Sequence, residues 1–171
     1  MVIEKTNPIG IDAVVFCVQK ALQKLKWADK LNIYPRCYPV IRDQLSTIEY
    51  YTERIDYQNL VFAEENKCFF LLTGDIEKIN NLKYSTELEL FFTLNLPEIT
   101  GLPDRRDAEV HNDVLAALRS SSMISINRLV TDIADVFNGY SYRIEDDMQP
   151  YHCFKVLLNV SSFDPNNKCS C

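Results

Sequence analysis

The clearest pattern in the chain is a strict alternation of apolar and polar residues over residues 86–96. One side of this segment carries Leu88, Leu90, Phe92, Leu94 and Leu96. Alternation with a period of two over about ten residues is typical of a β-strand with one buried face. At about 3.4 Å per residue the strand would span on the order of 35 Å, roughly twice the usual length. We therefore predict that its far end projects beyond the core, where a neighbouring molecule can pair with it.

Three other segments carry apolar residues at spacings of three and four, which is typical of helices with one buried face. These predicted helices are residues 11–27, 105–119 and 126–137. Asp104 precedes the second helix and Ser125 precedes the third, and both residue types cap helix N-termini through a side-chain oxygen. The pattern therefore predicts one helix before the long strand and two helices after it.

Shorter strands are predicted on both sides of the long one. Two apolar runs, residues 60–62 and 68–72, bracket a polar turn and indicate a β-hairpin. Residues 76–83 are predicted to form a loop or one helical turn. Residues 151–160 alternate again and are predicted to be the last strand. Its two faces carry Phe154, Val156, Leu158 and Val160 on one side and Cys153, Lys155, Leu157 and Asn159 on the other.

The region between the first helix and the hairpin is less regular. Residues 31–41 contain Pro35 and Pro39, which cannot donate to a β-ladder, so we predict an edge strand or a surface loop there. Residues 42–60 fit an irregular excursion with a short helix, and long insertions of this kind are often functional. The tyrosines of this region either pack within the loop or contact a partner; they are Tyr34, Tyr38, Tyr50, Tyr51 and Tyr57.

The order of these elements predicts an α+β fold, with one mainly antiparallel sheet and three helices packed against it on one face. A chain of 171 residues has the length of one domain and can bury a hydrophobic core that needs no disulfide bonds or metal ions to stabilise it. We assign residues 1–160 to this domain. The remaining residues, 161–171, are polar and are predicted to be a flexible C-terminal tail.

Charge and hydropathy exclude two classes of partner. The net charge is −6 and no basic stripe is present, which argues against sequence-specific binding to nucleic acid. No run of 18 apolar residues exists, so no transmembrane helix and no membrane partner are expected. The N-terminus also lacks the basic start and long apolar core of a signal peptide, so we expect a protein of cytosolic origin.

The six cysteines give no metal or redox motif. Cys17, Cys68 and Cys153 fall within apolar patterns and are predicted to be small buried hydrophobes. Cys169 and Cys171 form a two-thiol pair near the chain end, without a second pair or a nearby histidine to complete a zinc site. We therefore expect no bound metal ion.

Residues that could support catalysis are few. Only two histidines exist, His111 and His152, and their spacing does not establish that either one lies beside a reactive thiol. The four glycines are scattered, so they form no phosphate-binding loop. We therefore predict no catalytic residues, no cofactor and no enzymatic activity. The alternative from a different class is a small cytosolic enzyme that uses Cys153 or His111.

Two groups of residues are candidates for a subunit or tube interface. The stretch Asp104, Arg105, Arg106 and Asp107 is either a solvated helix start or a clasp between identical subunits, because arginine pairs with carboxylates in a bidentate way. Phe91 points away from the leucine face of the long strand and is a candidate anchor for a neighbour. Glu87 and Glu89 share its face and complete the predicted interface.

An order of elements emerges from these predictions. It consists of an opening helix, an apolar hairpin through residues 68–72, the long strand of residues 87–96, a charged stretch that opens a helix at residues 104–114, and a final strand. In this order the chain resembles the tail terminator, or tail-completion, proteins of long-tailed bacteriophages and prophages. The resemblance covers most of the chain as an arrangement of elements rather than through a diagnostic motif.

The resemblance implies a structural virion protein that is made in the host bacterial cytoplasm. Such proteins form a homo-oligomeric ring, a hexamer, on the last ring of tail-tube protein. The ring caps the tube, stops its polymerisation and offers a surface to a head-completion or neck protein. The closest alternative is another head–tail connector or neck component of similar α+β build.

Overall fold

A computed structural model describes residues 1–42, 45–51, 57–60, 65–138 and 150–166, which form an α+β fold with one mixed sheet. The strands are β1 (Asn32–Arg42), β2 (Leu45–Tyr51), β3 (Tyr57–Asn59), β4 (Lys67–Leu72), β5 (Glu77–Lys78), β6 (Tyr84–Asn95), β7 (Ser125–Val130) and β8 (Tyr151–Phe163). The α-helices are α1 (Ile11–Leu22), α2 (Leu96–Thr100), α3 (Asp107–Arg119) and α4 (Ile133–Val136). The predicted fold class is confirmed at this level.

The strands follow the order β3-β2-β1-β4-β6-β8-β7, and β5 pairs with the beginning of β6. The pair β1 and β4 is parallel, whereas the other strand pairs of the described residues are antiparallel. The predicted long strand is β6, and it lies between β4 and β8. Because β8 pairs with it from Tyr84 to Asn95, the prediction that its far end projects free of the core was wrong.

The leucine face of β6 lies in the larger of two hydrophobic clusters. Helices α1 and α3 cover this face, so that apolar residues of both helices pack against the same side of the sheet. The buried residues of these helices include Val14, Val18 and Leu22 from α1, and Val110, Val114 and Leu118 from α3. The alternating and helical patterns predicted this side of the core correctly.

The opposite face of the sheet is also buried, which the sequence did not predict. Ile48 of β2, Leu60 and the end of α4 belong to a second cluster, together with Phe69 and Phe91 from the central strands. The ring centroids of Phe91 and Phe137 lie 6.2 Å apart. The helices therefore do not all lie on one face, because α4 packs on the side opposite to α1 and α3.

The predicted third helix, residues 126–137, is wrong. Its first half forms β7, which pairs with β8, and only its second half forms the short helix α4. The ladder shifts register between Ile126 and Arg128, so one extra residue is inserted there. Ile126 and Leu129 consequently both pack against the larger cluster. A β-bulge of this kind gives a strand the spacing of three that is usually read as helical.

The prediction for residues 31–41 was also wrong, because β1 is an interior strand. Its first half pairs with β4 and its second half with β2. The ladder with β4 shifts register between Ile33 and Arg36, and Pro35 lies in that irregular stretch, where its missing N–H removes no regular ladder bond. The predicted hairpin of residues 60–62 with 68–72 was wrong, since β4 pairs with β1 and β6 instead. Residues 61–64 lie outside the described residues.

Several element ends differ from the predictions. Helix α1 ends at Leu22 rather than at residue 27. The N-cap position of α3 is occupied by Arg106, whose side chain makes no capping hydrogen bond, rather than by Asp104. Residues 76–83 contain β5 and form a hairpin with β6. Strand β8 continues to Phe163, whose ring packs near Tyr84. The last five residues of the predicted tail, 167–171, lie outside the described residues.

Candidate interaction surfaces

The second face of the sheet contains polar groups in a buried setting. The register places Lys67, Thr93 and Cys153 in one row across β4, β6 and β8. Lys67 is fully buried, and this burial lowers the pKa of its ammonium group to about 8, although the nearby charge of Glu65 acts in the opposite direction. The row lies beneath the second hydrophobic cluster, so it is part of the interior.

Phe91 and Glu89 belong to the same interior, which corrects their assignment to an interface. The Phe91 ring stacks on Phe69 at 5.1 Å and is only 1% exposed. The ammonium group of Lys155 lies 5.3 Å from the Phe91 ring centre and 3.1 Å from a carboxylate oxygen of Glu89. These side chains contact each other rather than a partner. Glu87, by contrast, is exposed near the beginning of β6.

The cysteines of the described residues do not have the environment of a nucleophile. Cys37, Cys68 and Cys153 are buried and form no disulfide. Burial raises the pKa of all three, to about 11 for Cys153, so these thiols stay protonated near neutral pH, whereas a reactive cysteine needs its thiolate form. Cys17 is buried as predicted, but it is disulfide-bonded. Cys169 and Cys171 lie outside the described residues.

The two histidines are brought together by the fold, which sequence reasoning missed. The Nε2 atoms of His111 on α3 and His152 on β8 lie 3.0 Å apart. Burial lowers the pKa of both imidazoles; for His152 the charge of His111 adds to this effect. The available signal was that His111 borders the apolar stripe of α3 while His152 lies on the face of β8 that this helix covers.

The charged stretch of residues 104–107 lies on the surface before α3. Arg105 pairs with Asp107 at 3.0 Å, and Arg106 pairs with Glu109 at 2.6 Å. Exposed pairs of this kind contribute little to stability, so the stretch stays a candidate surface for a partner. It lies beyond the end of β6, whereas Glu87 lies near its beginning, so the fold does not bring the predicted interface residues together.

The most informative surface feature is where the exposed apolar residues lie. Strands β1, β4 and β8 end where β6 begins, and we call this side of the molecule the apolar end. Ile9 lies there too, because the neighbouring Gly10 packs closely against Pro165, just beyond β8. Six of the eight large apolar residues that are exposed in the described ranges lie at this end, namely Ile9, Tyr38, Ile41, Ile76, Ile79 and Leu82.

Part of the apolar end is held in a defined shape. In the β5–β6 hairpin, the side-chain oxygen of Asn80 accepts hydrogen bonds from the backbone N–H groups of Leu82 and Lys83, each at 3.0 Å. Leu82 is 67% exposed at this turn, and Ile41 near the end of β1 is 77% exposed. Leu82 is therefore displayed on a hydrogen-bonded hairpin, and Ile41 on a strand that pairs with β2, outside a core that is already covered on both faces.

The opposite end, where β6 stops, has a different character, and we call it the charged end. It carries residues 104–107, the histidine pair and a cleft of about 440 Å³ beside Trp27. The indole N–H of Trp27 donates to Asp113 at 3.1 Å. The lining of the cleft includes five charged side chains, Lys26, Asp29, Lys30, Glu109 and Asp113, beside the apolar Trp27, Ile99, Leu102 and Val110.

Comparisons with known proteins give no relative from which a function can be transferred. No family model, no curated protein and no solved structure matches the chain. Among the helices of the described ranges, none is long and apolar enough to cross a lipid bilayer. The feature of the molecule that bears most on function is therefore the difference between the two ends of the sheet.

Proposed function

We propose that this chain is a structural virion protein that forms a homo-oligomeric ring and caps the tail tube of a long-tailed phage. The ring stops tube polymerisation and joins the tube to a head-completion or neck protein. The observation that supports this proposal most is the unequal distribution of exposed apolar side chains between the two ends of the sheet. A cap needs two different faces, because one face must bind the growing tube while the other must not bind a further tube subunit.

In this proposal the apolar end contacts the last ring of tail-tube protein. A large exposed apolar patch on a monomer marks an interaction site, and most of the exposed large apolar residues come from segments that lie toward this end of the sheet. Leu82 projects from a hairpin and Ile41 from a strand at this end, so both can enter pockets of a partner with little loss of conformational entropy. A ring repeats the same surface around its axis, so that contacts which are weak for one subunit add up through multivalency.

The charged end faces the head-completion or neck protein. Its arginines and carboxylates do not complement an apolar surface, so a second tube ring does not add there. Arg105 and Arg106 offer guanidinium groups that can exchange their present intramolecular carboxylate partners for those of a neighbour. A partner with its own acidic and basic groups is the kind of surface that fits this end.

Tube growth provides the test of this function. The tail-tube protein encoded in the same genome is produced with and without the chain, and tube length is measured by negative-stain electron microscopy. We expect short tubes when the chain is present, with the chain retained at tube ends after sedimentation. Replacing Ile41 and Leu82 by aspartate should restore long tubes. The matched control is Leu102→Asp, an exposed apolar residue near the charged end, which should still cap.

The other outcomes separate the remaining alternatives. Tubes of unchanged length, together with a chain that stays in the supernatant, would overturn the capping function. Binding to isolated heads or connectors without any effect on tubes would favour the alternative of a different neck component. The alternative of an enzyme that uses Cys153 as its nucleophile is disfavoured, because this thiol is buried and its raised pKa keeps it protonated near neutral pH.

A further inference from the structure

The only two histidines of the chain lie 41 positions apart in sequence and meet at the charged end. His111 belongs to α3 and His152 to the start of β8, and both rings are partly exposed to solvent. The ring of Phe154 packs against both, with centroid distances of 4.5 Å to His111 and 5.6 Å to His152. The two imidazoles are therefore held in place by the larger core, with their Nε2 atoms directed at each other.

A separation of 3.0 Å between two Nε2 atoms fits two kinds of arrangement. One is a hydrogen bond in which one imidazole donates and the other accepts. The other is a pair of ligands to one metal ion. With Zn–N distances of 2.0–2.1 Å and a tetrahedral angle, two ligand nitrogens lie about 3.3 Å apart. To bind one ion, the nitrogens need to separate by about 0.3 Å and both rings need to rotate by roughly 35°, so that the two lone pairs meet at the ion instead of facing each other.

We propose that His111 and His152 form a two-histidine binding site for a divalent transition-metal ion such as Zn²⁺. Imidazole nitrogen is a preferred ligand of Zn²⁺, Ni²⁺, Co²⁺ and Cu²⁺. No group of three or more His, Cys, Asp or Glu residues within the described ranges is arranged to hold a metal ion. Water molecules, or a ligand from a neighbouring protein, therefore complete the coordination.

The surroundings of the pair favour this use. Burial favours the neutral form of both imidazoles, and the neutral form is the one that binds metals. Asp107 lies one helical turn before His111, and its charge acts on both histidines. The positive charge of Arg105 acts on both histidines in the opposite direction to Asp107, but Arg105 forms an ion pair with Asp107. The site therefore combines two imidazole nitrogens with a nearby carboxylate whose charge is partly balanced by Arg105.

Metal binding would tie α3 to β8. An ion that binds only the folded state stabilises it by mass action, and these two elements belong to segments far apart in the chain. The same ion would hold the beginning of α3, next to residues 104–107, in a fixed position on the sheet. This inference stands independently of the capping function, since it concerns the folded monomer.

The test measures thermal unfolding of the full chain after chelator treatment, with Zn²⁺ or Ni²⁺ then added. We expect a saturating metal ion to raise the unfolding midpoint by about 5 °C. His111→Asn and His152→Asn should each weaken metal binding, measured by calorimetric titration, by at least about tenfold. The matched control is Asn112→Ala, an exposed neighbour on α3, which should keep the full effect of the metal.

Two results would overturn the site. One is the absence of any metal-dependent shift, and the other is a shift that persists unchanged in both histidine variants. The latter would assign the metal to cysteine thiols, which Co²⁺ distinguishes because thiolate ligands give it an intense near-ultraviolet absorption. If a variant does not fold, wild-type protein still decides the question, since bound Zn²⁺ must shield both imidazoles from diethyl pyrocarbonate.

Discussion

At the scale of single residues, the second face of the sheet holds side chains that sequence patterns assign to the surface. Phe91 alternates with the leucines of β6 and therefore has the position of an outward-facing residue. It is nevertheless enclosed by the rings of Phe69 and Phe137 and by the ammonium group of Lys155. Because the sheet is covered on both sides, alternation in β6 separates two cores rather than core from solvent.

Truncation of Phe91 tests this interpretation. Phe91→Ala removes a stacked ring from a closed cluster, so we expect a loss of about 3–5 kcal/mol in the free energy of unfolding. Urea denaturation followed by circular dichroism measures this loss. The control is Ile41→Ala, which removes an exposed side chain and should change stability by less than about 0.5 kcal/mol. Equal stabilities of the two variants would show that Phe91 is not a core residue.

Asp12 provides a prediction for the dependence of stability on pH. Burial raises the pKa of its carboxyl group, but hydrogen bonds from Arg36 at 2.8 Å and Lys5 at 2.5 Å outweigh this and lower the pKa below its usual value. A carboxyl group with a lowered pKa in the folded state contributes stability above its unfolded pKa. This contribution is lost as the pH falls through the folded pKa.

Wild-type protein should therefore lose stability relative to Asp12→Asn as the pH falls below about 4. At neutral pH the variant should be less stable by about 2 kcal/mol, because it weakens hydrogen bonds to two charged groups. Urea titrations of both proteins between neutral and acidic pH measure the difference. A difference that stays constant over this range would show that Asp12 gains nothing from its two cationic partners.

At the scale of elements, the partly buried ion pair between Glu89 and Lys155 links β6 to β8. Lys155→Met leaves the largely buried carboxylate of Glu89 without this partner, so we expect a loss of up to about 3 kcal/mol. The double variant Glu89→Leu with Lys155→Met should be more stable than this single variant, because an apolar pair incurs no desolvation cost. The unfolding free energies of the wild type, Glu89→Leu, Lys155→Met and the double variant form a double-mutant cycle. Additive losses would indicate that the two charges do not interact.

Elements with one regular period were predictable from sequence, whereas those shaped by distant partners were not. Helices α1 and α3 and strands β6 and β8 follow local patterns that agree with their tertiary environment. Strand β7 has a bulge that places Ile126 and Leu129 on one side, and this spacing imitates a helix. Strand β1 contains two prolines yet lies inside the sheet, because its ladder is irregular where Pro35 lies.

The candidate surfaces also divide into those that a local sequence pattern reveals and those that depend on residues distant in the chain. The charge of residues 104–107 was visible in the sequence, and the structure keeps these residues at the surface. The apolar end was not visible, since Ile9, Ile41 and Leu82 come from three separate segments that only the sheet brings to one side. The histidine pair likewise depends on the packing of α3 on β8. Surfaces built from distant segments require the fold before they can be recognised.

At the scale of the whole molecule, the two ends should respond differently to salt. In the proposed cap, contacts of the apolar end would rest on burial of aliphatic surface, which ions do not screen, whereas contacts of the charged end would be screened within about 8–10 Å at moderate ionic strength. We expect that raising the salt concentration to roughly 0.5 M leaves binding to tail tubes unchanged and weakens binding to the neck protein. Co-sedimentation at several salt concentrations measures both. Loss of tube binding at high salt would assign that contact to charged residues instead.

In the proposed cap the apolar end binds a tube and the charged end does not. Electron microscopy of tail tubes assembled with gold-labelled protein tests this directly. We expect gold at a single end of each tube, with no tube growth beyond the labelled ring. Label spread along the tube walls, or labelled rings with tube on both sides, would contradict it.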